Sequence, residues 1–180
     1  MTDAVDSALV LAMPRRELYK VSGFSRRVDL AVLESLDDEH WFAMPETLRG
    51  NPDAKEVRLG LVVTRPDAAG EHLLIDSQGV LLHAAPIPPD VARFGTGVRA
   101  LRDLARAAAA ALTGTIQPVV ELAGQLNDDA LLEAREAFVL VYRVVLAADA
   151  AAPTDTVWIS RARLKDVPLD PVSALVAQNW

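Results

Sequence analysis

The sequence predicts one α/β domain, and three stretches of its 180 residues carry that expectation. AFVLVYRVVLA (Ala137 to Ala147) is a run of β-branched, aromatic and aliphatic residues, the pattern of a strand buried at the centre of a sheet. EVRLGLVVTR (Glu56 to Arg65) alternates Val57, Leu59, Leu61 and Val63 against Arg58, Gly60, Val62 and Thr64, which predicts a strand with one face in the core. GVRALRDLARAAAAALTG (Gly97 to Gly114) sets Val98, Leu101, Leu104, Ala105, Ala108 and Leu112 along one side of a helix, built largely from alanine, the best intrinsic helix former. Thr113-Gly114 ends it, because glycine takes the left-handed conformation at low cost.

The remaining elements follow in chain order. Residues 1–13 read as an N-terminal tail ending in a short strand, Leu9 to Met13, stopped by Pro14, and residues 14–180 as the domain proper. VDLAVLESLD (Val28 to Asp37) places Val28, Val32 and Leu36 at helical spacing with Asp29 near the start. EHWFAMPETLRGNPD (Glu39 to Asp53) holds two prolines, a glycine and an asparagine, and reads as a structured loop. After the Glu56 strand, PDAAGE turns the chain, and EHLLIDSQGVLLHA returns as a second strand, broken or re-aimed at Ser77-Gln78-Gly79, so that the pair reads as a meander. Extended APIPPD then leads through the glycine-containing RFGTG (Arg93 to Gly97) into the alanine helix. IQPVVEL is strand-like, DDALLEAREA makes two turns of helix or a loop, and DTVWIS is a further short strand. DPVSALVAQNW closes as a helix, with Asp170 as N-cap and Pro171 in the first turn. No internal repeat or low-complexity linker divides the chain.

Composition narrows the function classes. A formal charge of −7 opposes general affinity for nucleic acid or an anionic membrane, since its long-range field repels phosphate. The absence of cysteine removes disulfides, thiolate nucleophiles and zinc–sulfur sites together. The opening MTDAVDSALVLAMPRR has acids before its short apolar run and arginines after it, the reverse of a signal peptide, and the run falls short of the roughly 20 residues of a spanning helix. The expected location is the cytoplasm.

In element order, and in the stretches MPRRELYKVSGF, WFAMPETLRGNPDAKEVRLGLVV, RFGTGV, VLVYRVVLA and VWISRARLKDV, the chain resembles the Nudix hydrolases. The resemblance implies a mixed sheet flanked by helices in an α/β/α sandwich, with the alanine helix standing where that family keeps its signature box. In the family, glutamates three and four apart on that helix hold Mg²⁺ against a diphosphate. Here the box is absent. With Gly114 as its final glycine, the arginine position falls on Ala107, the glutamate positions on Ala108, Ala111 and Leu112, and the earlier glutamate on Arg99. Taking Arg106 as the arginine moves the acids onto Ala107, Ala110 and Ala111. Methyl groups cannot replace the hard oxygens that magnesium requires.

Other side chains have a functional and a plainer reading. Arg99, Arg102 and Arg106 are spaced three and four apart, so their guanidinium groups share a helix face and can clamp an anion; the plainer alternative is a solvated face balanced by Asp103. His40, His72 and His83 are too dispersed for a metal cluster; His40 reads as a loop anchor, and His83 as a cleft residue or an ordinary packed histidine. Glu133 and Glu136 read as supplementary acids of the family type or as surface charge. Trp41, Trp158 and Trp180 read as core or interface anchors, and Trp180 must dock within the subunit or across a dimer. No nucleotide-binding glycine loop or nucleophile elbow is present.

The expectation is therefore a Nudix-like domain without the usual metal-dependent diphosphohydrolase activity, acting as a binding or protein-interaction module. It has no catalytic or metal residues, and Arg99, Arg102, Arg106 and His83 are the candidate ligand contacts. Its expected partners are a second copy of the chain and an anionic small molecule or a protein. The alternative is a divergent hydrolase of a nucleotide-linked or phosphorylated small molecule, with Mg²⁺ held by acids from elsewhere, such as Glu121, Glu133 or Glu136.

Overall fold

The computed structural model describes residues 9–20, 22–94 and 97–180. The expected tail before Leu9, and Gly95 and Thr96 of the glycine loop, lie outside the described residues. Among the described residues, nine strands form one mixed sheet with helices on both faces.

Strand β1 (Val10–Pro14) leads through a 3-10 turn (Arg15–Lys20) to β2 (Gly23–Ser25) and helix α1 (Leu30–Asp38). Asp29 caps α1 by accepting from the Ala31 amide at 3.0 Å. The stretch expected to be a loop holds two short elements, β3 (Trp41–Ala43) and α2 (Pro45–Leu48). Trp41-Phe42-Ala43 gains regularity by pairing with β1, and Pro45 suits the first turn of a helix because its missing N–H has no helical partner there.

The centre is β4 (Ala54–Asp67), paired in parallel with β8 (Ala137–Val145) from Glu56↔Ala137 to Thr64↔Val145. Along its other edge β4 meets three strands in succession, all antiparallel: β1 at Ala54 to Glu56, β6 (His83–Pro86) at Arg58 to Leu61, and β5 (Gly70–Asp76) at Thr64 to Asp67. The expected meander thus becomes two strands, β5 and β6, that both return to β4. β7 (Val119–Asn127) joins β8 to β2, and β9 (Thr156–Ser160) lies outside β5.

Alternation splits the core into two layers. Val57, Leu59, Leu61 and Val63 of β4, with Phe138, Leu140, Tyr142 and Val144 of β8, pack under α1 and α3 (Gly97–Thr113). Val62, Val139 and Val141 point the other way, against Val176 of α4 (Pro171–Asn179). The sequence reading gave β4 one core face, but both are covered. Gly60 on the second face admits no side chain, since a Cβ would lie 2.7 Å from Val139 Cγ1 and 2.8 Å from Leu82 Cδ1.

Helix α3 buries Ala100, Leu101, Ala105 and Ala109 against the sheet, with Leu104, Ala108 and Leu112 at the margin. It ends at Gly114, whose φ is +70° and whose amide donates to Ala110 O at 2.9 Å. The stretch read as two helical turns or a loop is a loop holding a 3-10 turn at Leu132–Ala134, and another 3-10 turn at Arg161–Asp166 follows β9. In α4, Asp170 accepts from Val172 N at 3.0 Å and Ser173 N at 3.2 Å. Trp180 docks within the subunit: it is 5% exposed, stacks on Phe24 with ring centroids 6.1 Å apart, and its main-chain oxygen accepts from Arg161.

A polar knot closes the sheet near the N-terminal arm. Lys55, with a wholly buried side chain, donates to Asn127 Oδ1 at 2.5 Å and lies 2.7 Å from Asp129 Oδ1, which also meets Arg15 Nη1 at 3.1 Å. Asn127 Nδ2 donates to Leu18 O, and Arg15 donates to Ala54 O and Arg135 O. Burial pushes the Lys55 ammonium below its ordinary pKa, more than the hydrogen bond and charge of Asp129 lift it. Burial also pulls the Asp129 carboxyl upward, but hydrogen bonds and charge from Lys55 and Arg15 outweigh that pull and hold it below the usual range.

Candidate ligand-binding site

Two concavities flank α3. The first, of about 590 Å³, lies at its N-terminal end between α1, β3 and the 3-10 segment Pro89–Phe94. Its walls are mostly apolar, with Leu11, Leu36, Phe42, Val91 and Leu101 among them, and its charged or titratable groups are Asp37, His40 and Arg99. Two distant parts of the chain supply these. Asp37 sits on the last turn of α1 and His40 just beyond it, held because its Nδ1 donates to Leu36 O at 2.6 Å. That bond leaves Nε2 of the neutral ring as an acceptor. Phe42 meets the imidazole edge-on, with centroids 6.2 Å apart at 87°. Gly97 takes φ +62°, and a Cβ there would lie 2.5 Å from Asp37 Oδ1, so the bare glycine lets the carboxylate come up against the start of α3. Arg99, two residues further on, is exposed.

The second concavity, of about 550 Å³, follows the outer edge of β6, which pairs only with β4 among the described strands. The register puts His83 on the same face as Leu61, toward Ala108 and Leu112 of α3, and Ala84 on the opposite face with Gly60. The groove therefore bends round the strand edge and reaches Asp170 and Val172 at the start of α4. Its charged or titratable groups are Arg58, His83, Glu133 and Asp170. Arg58 is engaged by Glu56 through bonds of 2.9 and 3.0 Å. Burial depresses the His83 pKa, and the charges of Asp76 and Asp170 only partly oppose it, so the neutral form of the ring is favoured.

The residues singled out in the sequence do not meet in one place. Arg99 lines the first cavity and His83 the second groove, while Arg102 and Arg106 line neither. Arg106 Nη1 donates to Asp103 Oδ1 at 2.9 Å, and Arg102 Nε lies 4.0 Å from the same oxygen. Among the alanine-helix positions, Ala108 and Leu112 face the groove, whereas Ala107 and Ala111 are exposed. Glu133 lines the groove; Glu121 lies on β7 opposite Arg143, and Glu136 ends the loop before β8. His72 Nδ1 is 3.1 Å from Asp67 Oδ2 at the β4–β5 turn. Among the described residues, no three His, Asp or Glu side chains converge as metal ligands would. Asp37 and Asp170 were not foreseen as site residues, for Asp37 reads as one more surface acid at a helix end and Asp170 as a cap.

No protein-family model matches the sequence, and no curated protein is similar to it in sequence. Solved structures are similar in fold. Tm1382, named as a candidate Nudix hydrolase, shares 15% identity over 94% of this chain and 96% of its own, with a TM-score of 0.71. The NUDIX domain of Shewanella oneidensis NrtR, solved in complex with ADP ribose, shares 14% identity over 76% of this chain and 95% of its own, with a TM-score of 0.50. At such identities the likeness is one of architecture, and the architecture is Nudix-like.

Proposed function

We propose that this chain is a Nudix-like domain that binds an anion-bearing small molecule and does not carry out metal-dependent diphosphate hydrolysis. The observation that carries the reading is the lining along α3: hydrocarbon from Ala108 and Leu112 faces the β6 groove, while the start of the same helix offers the guanidinium of Arg99 to a cavity large enough for a small molecule. Magnesium asks for several hard oxygens in a near-octahedral shell. The groove offers two carboxylates, Glu133 and Asp170, the latter capping α4 through Oδ1 alone, and two such groups fall short of the shell the ion asks for. Arg102 and Arg106 share Asp103 and contribute a background positive field, leaving Arg99 as the direct contact.

ADP ribose is the first ligand to try, because the NrtR domain of the same fold was solved with it. The expected outcome is thermal stabilisation by an anionic ligand that Arg99→Gln abolishes, with no conversion of ADP ribose to AMP in MgCl₂ or MnCl₂. Metal-dependent release of AMP would replace this reading with that of a divergent hydrolase. Light scattering in the same samples tests the expected self-association.

A further inference from the structure

We infer that the cavity at the start of α3 takes a zwitterion of the amino-acid type with an apolar side chain, its carboxylate on Arg99 and its ammonium on Asp37 and His40. The inference rests on the reading above that Arg99 meets an anion there.

The cavity holds two solvent-exposed charges of opposite sign: among the described residues neither Arg99 nor Asp37 has an ion-pair partner, and they do not pair with each other. A purely anionic ligand would bring a second negative charge to Asp37, and a purely cationic one a second positive charge to Arg99. A ligand carrying both signs compensates both. Tautomer supports the same orientation. Because Leu36 O can only accept, His40 Nδ1 must donate, and the neutral ring then presents Nε2 as an acceptor suited to an ammonium or hydroxyl donor. The remaining wall, from Leu11, Leu36, Phe42, Val91 and Leu101, suits a hydrocarbon or aromatic side chain. A volume of about 590 Å³ leaves room for one such molecule and water.

Calorimetric titration of the full chain with L-phenylalanine and L-leucine, 3-phenylpropionate and 2-phenylethylamine tests this. At least one amino acid is expected to bind, with each of the two truncated analogues about tenfold or more weaker than phenylalanine. Arg99→Gln is expected to weaken the amino acid and the propionate and to leave the amine unchanged or tighter; Asp37→Asn is expected to do the reverse for the two analogues. Circular dichroism establishes that both variants fold. Phenylpropionate binding as tightly as phenylalanine, or no binding by either amino acid while ADP ribose still depends on Arg99, would overturn the zwitterion and leave anion binding intact. Loss of any Arg99 dependence across all these ligands would overturn both.

Discussion

Removing the carboxylate of Asp129 probes the knot at Lys55. The two partners respond to pairing differently: the carboxylate is held in its charged form by Lys55 and Arg15, while the ammonium, fully buried, is pushed toward its neutral form despite the carboxylate. The pair is therefore a repair of a burial problem, and removing one half exposes the other. Breaking a buried ion pair typically costs about 3–5 kcal/mol. Here the Asp129 side chain is 48% exposed and Asn127 Oδ1 still accepts from Lys55, so the expected loss for Asp129→Ala is smaller, roughly 2–3 kcal/mol. For a chain of 180 residues that corresponds to a fall in Tm of roughly 5–10 °C, measurable by thermal and urea denaturation followed by circular dichroism. Replacing both groups, as Lys55→Met with Asp129→Ala, is expected to recover most of the loss, because no unpaired ammonium remains. The pH dependence has a definite sign. The folded-state pKa of Asp129 is depressed, so its contribution is complete above the ordinary carboxylate value of about 3.9 and disappears as pH falls through the lower folded value. An Asp129→Ala variant within about 0.5 kcal/mol of the parent at pH 7, or a double variant no better than the single one, would refute the reasoning.

Three further outcomes are expected. Gly79→Ala forces φ +82° on a residue whose Cβ would lie 2.3 Å from Pro168 O, so it is expected to destabilise by about 3 kcal/mol or more in chemical denaturation. Asp170→Ala removes the cap of α4 and is expected to cost about 1 kcal/mol, with Asp170→Asn retaining most of the stability. Arg65 lies 4.8 Å from the Trp158 ring centroid and donates to Ala150 O at 2.8 Å, so Arg65→Ala is expected to lower stability by about 1–2 kcal/mol and speed proteolysis of the segment between β8 and β9.

Elements with strong local signals were legible from the chain alone. The apolar run at Ala137 to Ala147, the alanine helix with its terminal Gly114, and Asp170-Pro171 at the start of α4 each carry their own explanation within a few residues. What escaped depends on partners far away. Trp41 to Ala43 becomes a strand only beside β1, and the second buried face of β4 exists only because α4, over a hundred residues later in the chain, covers it. Lys55 looks like an exposed residue at the threshold of a strand until Asn127 and Asp129 close over it. The candidate site divided in the same way. Helical spacing placed Arg99, Arg102 and Arg106 together, but spacing on one helix cannot report which of them a neighbouring helix walls into a cavity. Asp37 and His40 come to the same cavity as Arg99 through tertiary packing, with no shared motif to announce them.

The parallel pairing of β4 with β8 joins residues such as Thr64 and Val145, which stand 81 positions apart. During ribosomal synthesis the domain's middle ribbon is thus left without its mate until the β8 segment has emerged. Non-local pairing of this kind folds slowly and leaves apolar edges waiting for protection. Chaperone demand for this chain should accordingly peak late in translation and subside once the β8 segment clears the exit tunnel, a timing that ribosome-bound fragments of graded length would display.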